Sequence, residues 1–285
     1  VTLDLLKTEE RVGVGLRQPH YAYVLENKPA VGWFEVHSEN FFGEGGPALM
    51  LLEKIRADYP LSFHGVGLSL GSGEGVDKAH LHTLKKRIDR FSPFLISEHL
   101  SWSKVQGRYL PDLLPIPYTR EALSLFSQHI DETQTYLGRE ILIENPSSYL
   151  EYKCSTFSET DFLSTLCRTT GAKILLDINN VYVSAFNHGW DPRAYLQTIP
   201  SELVGEIHLA GHSVRTFAEG STFLIDTHST NVCEEVWALY QQAMQQGICA
   251  PVLIEWDEDI PDFATLKAEA LKAESYLSQE RKDYG

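Results

Sequence analysis

Short apolar runs recur along this chain, and what separates them repeats as well. The runs fall at residues 12–16, 32–36, 61–64, 94–97, 141–144, 174–178, 205–209 and 251–255. They are rich in Val, Ile, Leu and Phe with few polar breaks, the pattern of parallel strands covered on both faces. The segments between them read as helices. Within 76–91, Leu81, Leu84, Ile88 and Phe91 share one face, while Lys85, Lys86 and Arg87 fall elsewhere. Thr119 opens a stretch carrying Leu123, Phe126 and Ile130, and Ser158 stands three residues before Asp161 in capping-box fashion. Asp191-Pro192 is an N-cap followed by a proline at the first helical position, and Asp262 starts the last helix, expected to run toward Tyr276.

Eight strands alternating with helices predict a single (β/α)8 TIM barrel, with one domain over 1–285 and a barrel core at about 12–282. A doubly wound open sheet is the alternative. No linker, low-complexity tract or composition shift divides the chain. Two loops, 101–118 and 210–223, are long enough to serve function.

In a barrel of this kind the active site lies at the carboxyl ends of the strands. Here those ends carry His64, His99, Glu144, Asp177, His208 and Glu255, and a further segment ending Asp226-Thr227-His228 adds a D-x-H pair. Residues two apart in an extended chain point the same way, so Asp226 and His228 are expected to face one ion together. A single acid or histidine at a strand end is ordinarily a hydrogen-bonded core group. Their recurrence strand after strand is different, because such groups are costly to bury together unless a cation compensates them. Four imidazoles with four carboxylates suit iron, zinc or manganese, and eight ligands imply two or three ions.

Composition narrows the function. Of the 285 residues, 39 are acidic and 24 basic, for a net charge of −15, which disfavours nucleic-acid binding. Cys154, Cys167, Cys233 and Cys249 form no C-x-x-C pair and read as free thiols. The N-terminus shows neither a basic segment nor the apolar stretch of a signal peptide, and no run of 18 apolar residues predicts a membrane span. A cytoplasmic location is expected.

The motifs F-E-V-H-S-E-N from Phe34, H-G-V-G-L-S from His64, S-E-H-L-S-W from Ser97, E-N-P from Glu144, D-I-N-N from Asp177, E-I-H-L-A-G-H from Glu206, D-T-H from Asp226 and I-E-W from Ile254 occur in this order. In them the chain resembles the DUF692 (UPF0276) family of multinuclear non-haem iron-dependent oxidative enzymes, which includes the methanobactin biosynthesis oxygenase. The resemblance runs from about Gly13 to Asp257. It implies a xylose-isomerase-like barrel, iron with O2 as co-substrate, and action on cysteine in a ribosomally made precursor peptide, aided by a separate peptide-recognition protein. It further implies that His64, His99 and Glu144 hold one iron. Glu144 bridges to a second iron on Asp177, His208 and Glu255, and Asn180, Asp226 and His228 hold a weaker third. His37, Glu39, Asn40 and His212 become candidates for substrate positioning or catalysis. Trp102 and Trp256 read as packing. Two rivals are a trinuclear zinc phosphodiesterase of the endonuclease IV type and a divalent-metal sugar isomerase or epimerase. The acidic charge and Asn180, standing where the first would supply a histidine, oppose the one; the absence of a lysine directly after any strand end opposes the other.

Overall fold

Residues 11–284 are described by a computed structural model, with side chains through residue 278. The N-terminal stretch read for a signal peptide falls on residues 1–10, outside the described residues. In chain order the strands are β1 (Val12–Gly15), β2 (Trp33–His37), β3 (Leu61–His64), β4 (Leu95–His99), β5 (Trp102–Val105), β6 (Arg108–Leu114), β7 (Leu142–Glu144), β8 (Lys173–Asp177), β9 (Val204–Leu209), β10 (Ser213–Thr216), β11 (Thr222–Ile225) and β12 (Val252–Ile254). Eight of them close into a parallel barrel in the order β1-β12-β9-β8-β7-β4-β3-β2. The eight apolar runs are these eight strands, shifted by one or two residues at some ends.

After α1 (Tyr21–Asn27) and α2 (Pro47–Asp58), several of the helices that flank the barrel start where their caps predict. In α3 (Lys78–Phe91) Asp77 accepts from the amides of Ala79 and His80; in α4 (Arg120–Leu137) Thr119 accepts from Ala122. Ser158 caps α5 (Glu159–Thr170) through the Asp161 amide, and Asp191 caps Pro192–Thr198 through that of Arg193. Asp262 accepts from the Thr265 amide, and the last helix continues past Tyr276 to Tyr284. Each cap satisfies an amide that the first helical turn leaves unpaired. Leu81, Leu84, Ile88 and Phe91 are all buried against the barrel, as their spacing requires.

Both long loops fold into two-stranded antiparallel hairpins, β5–β6 and β10–β11. Gln106 and Gly107 both take positive φ (50° and 70°) at the first tip, the left-handed pair that a tight hairpin turn demands. The hairpins stand on the carboxyl face of the barrel and lend residues to the walls of the cavity over it.

Candidate metal centre

Strand register brings the chemical residues level with one another. Among the barrel pairs, His37 lies opposite His64, His64 opposite Ser97, His99 opposite Glu144, and Asp177 opposite His208. Residues up to 171 positions apart in sequence therefore share one layer at the top of the barrel. Glu255 follows β12 directly, and its amide bonds to the Leu209 carbonyl, which extends the same layer. Asn180 sits on the first turn of α6 (Ile178–His188), which Asp177 caps through the Asn180 amide at 2.7 Å.

Asp226 and His228 lie beyond β11, which ends at Ile225, so an extended strand does not align them. His228 takes φ +45°, and this left-handed turn brings its Nε2 to 2.7 Å from Asp226 Oδ1 and 3.6 Å from Asp177 Oδ2.

Three of the histidines engage the protein with one ring nitrogen and aim the other at the carboxylates. His64 Nδ1 meets Ser97 Oγ at 2.7 Å while Nε2 faces Glu144 Oε2 at 3.2 Å. His99 Nδ1 donates to the Gly65 carbonyl at 3.0 Å, and its Nε2 lies 3.0 Å from the same Glu144 oxygen. For His208 the sides reverse: Nδ1 lies 2.9 Å from Glu255 Oε2, and Nε2 faces the deeper Glu35 and Glu206 at 3.4 and 3.7 Å. Fixing one nitrogen in this way sets ring orientation and tautomer, as metal-binding histidines require.

The charge balance also calls for cations. Burial, then the neighbouring imidazoles, pushes the His64 pKa well below the ordinary histidine range, and burial lowers His99 too, so both present neutral lone pairs. Burial drives the Glu144 carboxyl far up, and Asp177 rises to about 7 from the same cause. Burial also opposes charge on Glu255, yet His208 and His228 hold that group well below the carboxylate range. Glu144 Oε2, Asp177 Oδ2, Asn180 Oδ1 and His228 Nε2 are buried with no aligned hydrogen bond. Donor atoms of His64, His99 and Glu144 lie within 4.8 Å of one another, as do those of Glu144, Asp177 and His208. Orphaned oxygen and nitrogen donors in a buried, acidic cluster fit divalent ions of the iron, zinc and manganese class.

Above the cluster opens a cavity of about 730 Å³. His37, His64, His99, Glu144, Asn180, Asp226, His228 and Glu255 contribute to its polar part; Leu110, Pro111 and Leu113 from one hairpin, Phe223 and Ile225 from the other, and Tyr149 make an apolar wall. Among the described residues no lysine or arginine lines it. Asp177 and His208 lie just beneath, fully buried.

Of the four residues nominated for positioning or catalysis, His37 lines the cavity. Glu39 instead accepts from the Val66 and Gly67 amides at 3.0 and 2.8 Å and so holds the loop after His64. Asn40 is exposed on the turn that follows β2. His212 Nδ1 bonds to Asn179 Oδ1, and Asn179 Nδ2 donates to Asp226 Oδ1, which places His212 one residue removed from the cluster. Trp256 is buried, and Trp102 bonds to the Pro115 carbonyl. Sequence reading missed Arg17 and Asp257. Arg17 follows the first apolar run directly and Asp257 stands two residues after Glu255, so the signal that found the other groups was present at both.

The family profile described as RiPP precursor modification enzyme MbnB/TglH/ChrH matches residues 11–278. A UPF0276 protein of Psychromonas ingrahamii is 51% identical over 263 residues, 92% of each chain. A UPF0276 protein of Vibrio parahaemolyticus is 50% identical over 268 residues, 94% of this chain and 93% of the relative. Among solved structures, D-psicose 3-epimerase from Clostridium cellulolyticum superposes with a TM-score of 0.60 at 12% identity, covering 95% of this chain and 98% of its own. A D-tagatose 3-epimerase-like protein gives 0.60 at 13% identity, with 96% and 99% covered. Likeness at that identity is a likeness of fold, the xylose-isomerase type of barrel.

Proposed function

The chain belongs to the MbnB/TglH/ChrH family of RiPP precursor modification enzymes, and from that premise we propose that it oxidises a cysteine of its precursor peptide with O2 at a centre of two or three iron ions. The observation that carries the reading is the convergence of unpartnered donors on the cavity floor, where Glu144 Oε2 faces both His64 and His99. In this proposal His64, His99 and Glu144 hold one ion, and Glu144 is shared with a second held by Asp177, His208 and Glu255. Asn180, Asp226 and His228 hold the third. A neutral amide is a poorer donor than imidazole or carboxylate, so the third ion is the weakest bound.

Iron, when bound, supplies the electron transfers by which O2 oxidises the substrate and a charge that stabilises its thiolate. The chain does the rest. The apolar wall of Leu110, Pro111, Phe223 and Ile225 flanks the peptide and excludes water from the cysteine. His37, on the cavity side and bonded at Nε2 to Arg17, is placed to orient the peptide beside that residue.

A separate peptide-recognition protein belongs to the same proposal. It is supported by the apolar side chains exposed on and beside the hairpins, namely Val214, Phe217, Leu150 and Tyr152. The cytoplasm is the proposed compartment, in keeping with four unpaired cysteines; no helix among the described residues is long and apolar enough to cross a membrane.

The test compares parent and Glu144→Ala after anaerobic loading with Fe(II). Iron per chain and O2 uptake are measured with a cysteine-containing precursor peptide and with its Cys→Ser counterpart. The expected result is two or three irons in the parent, uptake that needs the cysteine, and loss of both in Glu144→Ala. A parent that retains tightly held zinc and consumes no O2 overturns the proposal.

A further inference from the structure

Arg17 is buried among one imidazole and two carboxylates. It is 9% exposed and its Nη2 lies 3.2 Å from His37 Nε2 and 3.4 Å from Glu255 Oε1. The same nitrogen donates to Asp257 Oδ1, to which Nε also donates at 2.9 Å. The three acceptors are close to one another as well. His37 Nε2 is 3.6 Å from Glu255 Oε1 and 3.8 Å from Asp257 Oδ1. Donors at about 2.0–2.2 Å from one tetrahedral ion stand roughly 3.3–3.6 Å apart. An imidazole and two carboxylates are therefore spaced nearly as co-ligands of a single ion, and all three line the cavity above the cluster.

We propose that Arg17 is a resident cation filling a latent metal site made by His37, Glu255 and Asp257. A guanidinium keeps its charge at any working pH, so the position is permanently taken. Two consequences follow for the neighbouring centre. Glu255 has Oε1 committed to Arg17 and meets the ions only through Oε2, which already faces His208 Nδ1 at 2.9 Å and His228 Nδ1 at 3.2 Å. Asp257 is held at Oδ1 by Arg17, which leaves Oδ2 3.6 Å from His228 Nδ1, on the side of the ring away from Asp226. The inference rests on the metal-centre reading, but it is read as a difference between variants and can fail alone.

Co(II) serves as the probe. Full-length parent, Arg17→Met, Arg17→Lys, Arg17→Met with His37→Ala, Asp257→Asn and His37→Ala are loaded, freed of loose metal, and compared by ions per chain and by visible absorption. Arg17→Met is expected to bind one equivalent more than the parent. Arg17→Lys, which restores the charge, and the Arg17→Met/His37→Ala double variant are expected to match the parent. Asp257→Asn and His37→Ala, with Arg17 in place, keep the parental number. A folded Arg17→Met at or below the parental number overturns the proposal. So does loss of an ion in Asp257→Asn, which would make Asp257 a native ligand. Should Arg17→Met not fold, the two single variants decide: the parental number supports Arg17 as the occupant, and a loss refutes it. A parent that binds no Co(II) refutes the metal-centre reading, while a gain in Arg17→Met over it still supports this one.

Discussion

Adding one methyl group at Gly65 tests how tightly the strand ends are held. A Cβ there would lie 2.0 Å from Glu98 Oε1, 2.4 Å from its carboxyl carbon and 3.1 Å from the Ser97 carbonyl. Ordinary contact begins at about 3.5 Å, so in Gly65→Ala the carboxylate must withdraw by roughly 1.5 Å. It has no solvent to move into. Glu98 is 2% exposed, and burial, then the nearby Glu39 carboxylate, pushes its pKa well up. The end of β4 or the loop after His64 must move instead, and that loop is tied at several points. Gly65 donates to Ser97 O at 2.8 Å, its carbonyl accepts from His99 Nδ1, and Glu39 grips the next two amides. Overpacking of this kind costs about 1–3 kcal/mol. At roughly 2–4 °C per kcal/mol for a chain of this size, the melting temperature should fall by about 2–12 °C. Losing the partner that orients His99 should weaken the ion proposed at His64, His99 and Glu144 by about 10–100-fold. Thermal unfolding of the apo protein reads the first quantity and Co(II) titration the second. Gly65→Ala that melts within about 1 °C of the parent and binds the ion as tightly would refute the account.

Two further outcomes are expected. Ser97→Ala removes the partner of His64 Nδ1, so affinity at that site should drop by about 10–100-fold with the fold intact by circular dichroism, and an unchanged isotherm would deny Ser97 its role. Asp77 caps α3 and pairs with Lys104 and Tyr109, and those contacts hold its pKa far below the aspartate range. A depressed carboxylate pKa contributes stability that is complete above the unfolded value near about 4 and is lost as pH falls toward the folded one. On moving from about pH 5 to about pH 3 the melting temperature of Asp77→Asn should therefore fall less than that of the parent; equal falls would contradict the assignment.

Much of the fold was legible because burial on both faces leaves a continuous apolar signature. That signature located all eight barrel strands, and capping residues located the helix starts. The hairpins were not legible. Residues 101–118 and 210–223 alternate weakly, and Pro111 interrupts the first, so they read as loops until their strands pair. The convergence of the candidate donors was legible for a physical reason: an acid or histidine directly after an apolar strand has no solvent to face and needs a partner. Arg17 and Asp257 carried the same signal, but a guanidinium offers no lone pair to a metal, and its pairing with Asp257 depends on strands at opposite ends of the chain.

The amino-acid order by itself determined which groups sit at strand ends, because an apolar run can stop only where polar residues begin. It could not determine how those ends are levelled against one another, since register between strands is set by the packing of a closed barrel. Nor could it say which nitrogen of each ring faces the cluster. That depends on partners such as Ser97, the Gly65 carbonyl and Glu35, which lie on other strands. Whether the cation between His37, Glu255 and Asp257 is a metal or a guanidinium was likewise open until β1 closed the barrel beside β12 and carried Arg17 into that place.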